Sequence, residues 1–472
     1  MKNFRNNIQN EKNKRELLFR ALKNEKTERT PWVPFVGVHG GSIINMQAEE
    51  YLKSGEKMAK GILKAIELYN PDGIPISFDL QMEAELLGCE LKWAKKVPPS
   101  VISHPLENGN LEDLPDFVIN KGRFLEIKKA LKIVKGKVGN EIAVYGLITG
   151  PFTLALHLMG IDIFLDMLTE PEKTKEILSF CVNVAKTTSK FYIENGADVI
   201  AVVDPMTSQI SPEHFSEFVT PMVNEVFDFI KNHNAYSSLL VCGDATRNLE
   251  EMCKTTCDNI SIDENISLEY LKGLSKKYNK SFGGNLNLTS VLLFGNENDC
   301  KKNAINCINT GGTKGYILAP GCDIPYDCPQ QNLIAVSEVA LDEYQRKIAR
   351  RLISEEVNEV ETNIELHDYK KSKKLIIEVV TLDSDSCPPC KYMVDAVKKA
   401  TAKFSDKVNI YEYKISKKEG LVAMQSLKVK AIPTICLNGK VIFSSIIPDI
   451  KTLQSEITKA INNHTKIKNT NE

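Results

Sequence analysis

Cys387 and Cys390 are separated by Pro388 and Pro389 and follow a β-branched run, Leu375–Val380. Asp385 or Ser386 can cap a helix that opens there. Proline is tolerated in the first helical turn, where its missing N–H costs no bond. Cys387 is then expected at the helix N-terminus, where free N–H groups and the helix dipole favour a thiolate. Cys390, three residues on, shares that face and can resolve a mixed disulfide. The chemistry this spacing suggests is thiol–disulfide exchange. The competing reading of Cys-x-x-Cys is half a zinc site, which needs a second ligand pair. Only Cys436 stands nearby, in an apolar run that reads as core.

A second set of reactive side chains closes a series of short β-branched runs. The runs are Trp32–Val38, Gly73–Ser77, Glu141–Ile148, Asp198–Val203, Ser238–Cys242, Asn259–Asp263, Ser281–Gly284 and Gly315–Ala319. His39 follows the first, Asp79 the second and Asp204 the fourth. Cys242 and Asp263 end the fifth and sixth, and Asn285 and Cys322 follow the last two. One such residue is ordinary turn chemistry. The set reads as the mouth of an active site, because about eight parallel β/α units close a (β/α)8 TIM barrel with its chemistry at the C-terminal strand ends. The stretch from Phe78 to Asn140 is long for one connection and is expected to carry extra helices.

The organisation predicted is an α/β chain with a barrel over residues 1–345, a charged helix and linker over 346–372, and a small α/β domain over 373–472. The last follows β-α-β-α-β-β-α order, with hairpin strands at Thr434–Leu437 and Lys440–Ser444 and a last helix from about Asp449. Sixty basic residues face sixty-one acidic ones, a net charge of -1, which removes the usual electrostatic case for nucleic acid. Twelve cysteines in 472 residues are too sparse for a disulfide scaffold. The first residues lack the apolar core of a signal peptide, and no apolar run of about 18 residues stands out. The expectation is a cytoplasmic protein with reduced thiols and no membrane span.

The Cys-Pro-Pro-Cys phrase at a strand–helix junction, with Ile432-Pro433-Thr434 ahead of a hairpin, resembles the thioredoxin/glutaredoxin family over roughly residues 373–465. That resemblance implies a redox role for Cys387 and Cys390 and makes Pro433 the cis-proline beside them. The chain departs from the family in having no tryptophan before Cys387 and Pro-Pro in place of the common Gly-Pro.

Residues 10–345 resemble the uroporphyrinogen decarboxylase superfamily. The phrases are Thr149-Gly150-Pro151-Phe152-Thr153, Val203-Asp204-Pro205, Ser211-Pro212-Glu213-His214-Phe215, Gly283-Gly284-Asn285 and Pro320-Gly321-Cys322-Asp323. One branch of the superfamily decarboxylates porphyrinogens and carries arginines after the first strand. This chain has Val38-His39-Gly40-Gly41 there, so that alternative is disfavoured. The other branch moves a methyl group between a corrinoid protein and a thiol-type acceptor. It holds zinc through a His-x-Cys pair and a distant cysteine. The resemblance implies Cys242 and Cys322 as metal ligands, while position at the strand ends offers His39, Asp79, Asp204, Asp263 and Asn285 as pocket residues. Leu240 stands where the histidine is expected, so a third ligand would come from His39, Asp204, Asp244 or Cys328. His157 with Gly160 resembles the His-x-x-Gly of cobalamin-binding proteins, but Ala155 replaces the aspartate of that motif. Any corrinoid is therefore expected on a separate carrier protein. The function implied is methyl transfer from such a carrier to a small thiol, with a fused domain that reduces the mouth cysteines or delivers a thiol to them. A redox-only protein, its barrel a metal-free binding platform, is the alternative that Leu240 favours.

Overall fold

The computed structural model describes residues 14–353 and 366–469, apart from 370, 386 and 430. Ser386 and most of the expected linker lie outside the described residues. The chain divides into two compact units, residues 1–207 with 211–356, and residues 357–472 with 208–210.

The larger unit is built on a curled parallel sheet of seven strands. They are β1 (Gly73–Pro75), β4 (Ala143–Thr149), β5 (Val199–Val203), β6 (Tyr236–Val241), β7 (Asn259–Ile262), β8 (Ser281–Leu286) and β9 (Tyr316–Pro320), and they pair in that order. A separate hairpin, β2 (Leu91–Lys92) and β3 (Ser100–Val101), sits in the long connection after β1, together with the expected helices. Each parallel strand is followed by helical structure, as a parallel crossover requires.

The first expected strand, Trp32–Val38, does not form as a strand. Only Trp32 bridges to Leu318. Pro31 and Pro34 remove two N–H donors from the segment, which limits any ladder. The segment still bonds both sheet edges. Val33 N donates to Leu318 O and Leu318 N to Pro31 O, both at 2.9 Å, while Asp72 N donates to Trp32 O at 2.8 Å.

Strand alternation decides which side chains enter the sheet's concave core. Val203, Leu240, Ser261, Gly283 and Ile317 lie in register across β5 to β9. Val203, Leu240 and Ile317 belong to one buried apolar cluster with Val33, Phe35, Leu147 and Ala201. Two residues on, Cys242 and Asp263 follow on the same side at the C-terminal ends, whereas Asn285 turns to the helix layer, where its Oδ1 accepts the Cys307 thiol at 4.0 Å.

The helix Pro151–Met159 starts with proline at its first position and buries every residue. A short 3-10 turn joins it to Ile163–Thr169. Together, residues 151–169 form one 19-residue stretch apolar and long enough to cross a membrane, which corrects the expectation that none exists. Packing explains its apolarity, since 61% of its most apolar window is buried inside the protein.

The smaller unit is a mixed four-stranded sheet in the order β11-β10-β12-β13: β10 (Leu375–Thr381), β11 (Val408–Lys414), β12 (Thr434–Leu437) and β13 (Lys440–Ser444). β10 and β11 are parallel and the other pairs antiparallel. Helices Pro388–Thr401 and Ile450–Asn469 cover one face through Met393, Val397, Leu453 and Ile457. Helix Lys418–Ser426 and the following turn cover the other, where Val380, Leu427, Val429 and Cys436 meet.

Candidate functional site at the strand ends

Cys242 and Cys322 are half-buried and pack against the same apolar cluster that contains Leu240. Their backbones converge on one dipeptide. Gly243 N donates to Asp263 Oδ2 at 2.9 Å. Gly321 lies so close to the peptide joining Asp263 to Glu264 that a Cβ there would sit 2.6 Å from Glu264 N. That contact is a reason for glycine before Cys322.

Asp263 also accepts Asn265 N at 2.9 Å, and Asn285 Nδ2 donates to Ile266 O at 2.7 Å, so Asp263 and Asn285 brace the turn after β7. Burial raises the Asp263 pKa. Glu264 is raised to about 8, by burial and then by the Asp263 charge. The two carboxyls cannot both ionise at little cost so close together. Glu264 was not anticipated, although it directly follows Asp263 in the sequence.

The other expected pocket residues lie elsewhere. Asp204 is fully buried and caps helix Pro151–Met159. Its Oδ1 accepts Thr153 N at 2.8 Å and Thr153 Oγ1 at 2.6 Å, and its Oδ2 accepts Phe152 N at 3.2 Å. Val203 faces the core, so its neighbour Asp204 faces the helix layer. Burial raises the Asp204 pKa to about 6 despite those donors. His39 is fully buried in the first turn of a short helix, its Nε2 2.7 Å from the Tyr69 hydroxyl. Burial lowers its pKa to about 4.

Asp79 forms a buried ion pair with Arg123, which the sequence offered no reason to select from the long connection. Arg123 Nε also donates to Glu85 at 2.6 Å, and its guanidinium lies 5.0 Å from the Trp93 ring centroid. Beside them Glu83 accepts Thr149 N and Oγ1 and is raised to about 7 by burial.

These positions bear on zinc. Catalytic zinc thiolate sites use three protein ligands. Leu240 is 1% exposed and cannot ligate. His39 and Asp204 are engaged as described. Asp244 accepts Thr246 N and Oγ1 at 3.1 and 2.5 Å, and Cys328 donates its thiol to Leu292 O at 3.1 Å. Among the described residues no three His, Cys, Asp or Glu side chains form a metal-binding group. The residues present at the mouth therefore do not fit the zinc set that the resemblance implied.

A uroporphyrinogen decarboxylase (URO-D) family model matches residues 13–342. The chain belongs to the uroporphyrinogen decarboxylase family. Within this family, the methylcobamide:CoM methyltransferase MtbA of Methanosarcina mazei is 31% identical over 335 residues, covering 69% of this chain and 97% of its own. A uroporphyrinogen decarboxylase of Prochlorococcus marinus is 26% identical over 280 residues, covering 57% and 79%. The solved structure of a methyltransferase from Methanosarcina mazei aligns with a TM-score of 0.65 at 25% identity, covering 73% of this chain and all of its own. The family match ends before Cys387.

The cysteine pair of the smaller unit stands at a strand–helix junction. Cys387 is half-buried at the N-cap of helix Pro388–Thr401, and its N–H donates to Asp383 O at 2.8 Å. Cys390 is fully buried, and its Sγ accepts Leu382 N at 3.3 Å. The Ile432–Pro433 peptide is cis, and Pro433 O accepts Ser445 N at 2.8 Å. Cys436 is a buried core thiol whose pKa burial pushes up to about 12.

His157 carries a pH signature. It is 1% exposed, and neither ring nitrogen has a hydrogen-bond partner among the described residues. Burial, and then the nearby His104, lowers its pKa to about 3. The unfolded value is about 6.5, so acid protonates the unfolded chain first. The stability of the neutral ring is complete above about pH 6.5 and is lost as pH falls toward 3. Urea denaturation at about pH 7.5 and pH 5 should show His157→Leu losing less stability on acidification than the native chain, by about 1–2 kcal/mol. Equal losses in the two proteins would refute that account.

Proposed function

We propose that the larger unit is a methyltransferase that moves a methyl group between a methylated corrinoid on a separate carrier protein and a small thiol. The observation that carries this is the 31% identity to a methylcobamide:CoM methyltransferase across 97% of that protein. Cys242 and Cys322 at the mouth, with no arginine cluster after Trp32–Val38, agree with it better than with porphyrinogen decarboxylation.

The fold reading is a closed (β/α)8 barrel. Its support is the bonding of residues 31–33 to Leu318 of β9 and to Asp72, which leads into β1. In the reaction a thiolate attacks the cobalt-bound methyl carbon. The sulfur–carbon bond forms, the cobalt–carbon bond breaks with its electron pair left on cobalt, and the thiol proton passes to the Asp263–Glu264 pair. The raised pKa of both carboxyls supports that role. Cys242 and Cys322 would line the acceptor's sulfur end. No step is assigned to zinc.

The smaller unit is read as a thioredoxin-like thiol–disulfide oxidoreductase. Its strand order and the Cys-Pro-Pro-Cys phrase at the start of a helix support this. A redox-only protein is the second reading, favoured by Leu240 buried in the cluster against which both thiols pack.

Incubation of the full chain with methylcobalamin and a small thiol, followed spectroscopically at the cobalt, tests the main reading. Turnover is expected, with a loss of about 100-fold or more in Cys322→Ser and Cys242→Ser. Absence of demethylation with every thiol and with a methylated corrinoid protein would leave the redox-only reading.

A further inference from the structure

Beside the cysteine pair lies a lysine that no part of the proposed exchange reaction yet uses. Lys414, the last residue of β11, sends its ammonium to Asp383 Oδ1 at 2.6 Å and also to Asp385. Both carboxylates belong to the short loop between β10 and Cys387. Lys414 and Asp383 are mostly buried, at 17% and 16% side-chain exposure. The same loop is tied a second time to β11, because Glu412 accepts Thr381 Oγ1 at 2.7 Å and Ser384 N at 3.3 Å. Asp383 also receives the Cys387 N–H on its main-chain oxygen. One residue thus carries both the lysine contact and the Cys387 contact.

Cys387 shares its loop with acidic side chains. Asp383 and Asp385 lie on its loop and Glu412 on the neighbouring strand. On its own helix Lys391 is already paired with Asp395 at 2.8 Å. The carboxylates disfavour a thiolate, while the helix N-terminus favours it. Lys414 is a cation bonded to both loop carboxylates.

We propose that Lys414 is a positioning residue for the cysteine pair: it clamps the 383–385 loop to β11 and offsets its two carboxylates, which keeps Cys387 ionisable near neutral pH. This rests on the thiol–disulfide reading of the smaller unit. In the exchange the Cys387 thiolate attacks a substrate disulfide and releases one substrate thiolate. Cys390 then displaces the second substrate thiolate, so two thiols become one disulfide and the substrate disulfide becomes two thiols. Lys414 acts on the first step only, through the fraction of Cys387 that is ionised.

The test is alkylation of Cys387 by iodoacetamide in the full chain, resolved by peptide mass spectrometry across about pH 5–9. Lys414→Met is expected to slow alkylation about three- to tenfold at neutral pH and to move the profile to higher pH. Lys414→Arg should restore it. Asp383→Asn with Asp385→Asn, in the presence of Lys414, should move the profile to lower pH, and this double variant decides the matter if Lys414→Met does not fold. An unchanged profile in folded Lys414→Met, or in the double variant, overturns the proposal. The reading beneath it fails separately, if the native chain never forms a Cys387–Cys390 disulfide with a small oxidised dithiol. Disulfide formation together with an unchanged Lys414→Met profile condemns only the role of Lys414.

Discussion

Leu240→His is expected to make the mouth of the curled sheet bind about one zinc per chain, where the native chain after dialysis is expected to hold far less. Leu240 lies in register between Val203 and Ser261 on the core side, two residues before Cys242, so a histidine there would project toward the two thiols. Imidazole occupies about the volume of the leucine, but in the apolar cluster its polar nitrogens would lack partners without metal. The metal-free variant should therefore be less stable than the native chain by about 1–3 kcal/mol. Added zinc should recover that loss, since a ligand that binds only the folded state stabilises it by mass action. Two measurements check this: metal content after dialysis, and the melting temperature with and without zinc. Adding Cys322→Ser to Leu240→His should abolish both gains. Stoichiometric zinc in the dialysed native chain would show that two thiols and an unforeseen group suffice, and the argument from Leu240 would fail.

The second large effect is expected in the smaller unit. Cys387→Ser should abolish reduction of a model disulfide, a loss of about 100-fold or more, because the attacking thiolate is gone. Cys390→Ser should retain the first attack and accumulate a mixed disulfide, because the buried resolving sulfur is missing. Neither change should alter methyl transfer from methylcobalamin to a free thiol. The readouts are insulin reduction and mass spectrometry of the trapped adduct. Full disulfide reductase activity in Cys387→Ser would remove the redox assignment.

Much of this architecture is legible in the chain itself. The strands of the smaller unit agree with the expected runs at Leu375, Val408, Thr434 and Lys440, because alternating and β-branched runs bounded by turn residues have few other solutions. The seven strands of the parallel sheet in the larger unit are legible for the same reason. The segment from Trp32 is the exception. Its apolar composition suggests a strand, and its two prolines deny it a ladder. The membrane criterion failed at Pro151–Thr169, since composition alone does not separate a core helix from a membrane helix.

The pocket shows where local reading ends. Position after a strand marked Asp204 and His39 as pocket residues, yet one caps a helix and the other is sealed against Tyr69. Alternation from Val203 assigns Asp204 to the outer layer, but only once the facing of the strand is known, and the cluster of distant residues sets that facing. Arg123 reaches Asp79 across 44 positions, and the meeting of Gly321 with Glu264 joins two different strand ends. No local pattern encodes such pairs.

Family membership, the Cys387–Cys390 spacing and the replacement of an expected histidine by Leu240 are properties of residue order alone, because each depends on identity at fixed intervals. The tertiary structure alone decides that Cys242 and Cys322 share one apolar cluster, that His39, Asp204 and Cys328 are held elsewhere and that Asp244 is bonded to Thr246. It alone brings Lys414 to the loop before the cysteine pair. Those facts depend on distances between strands remote in sequence, which packing sets after the strands have formed.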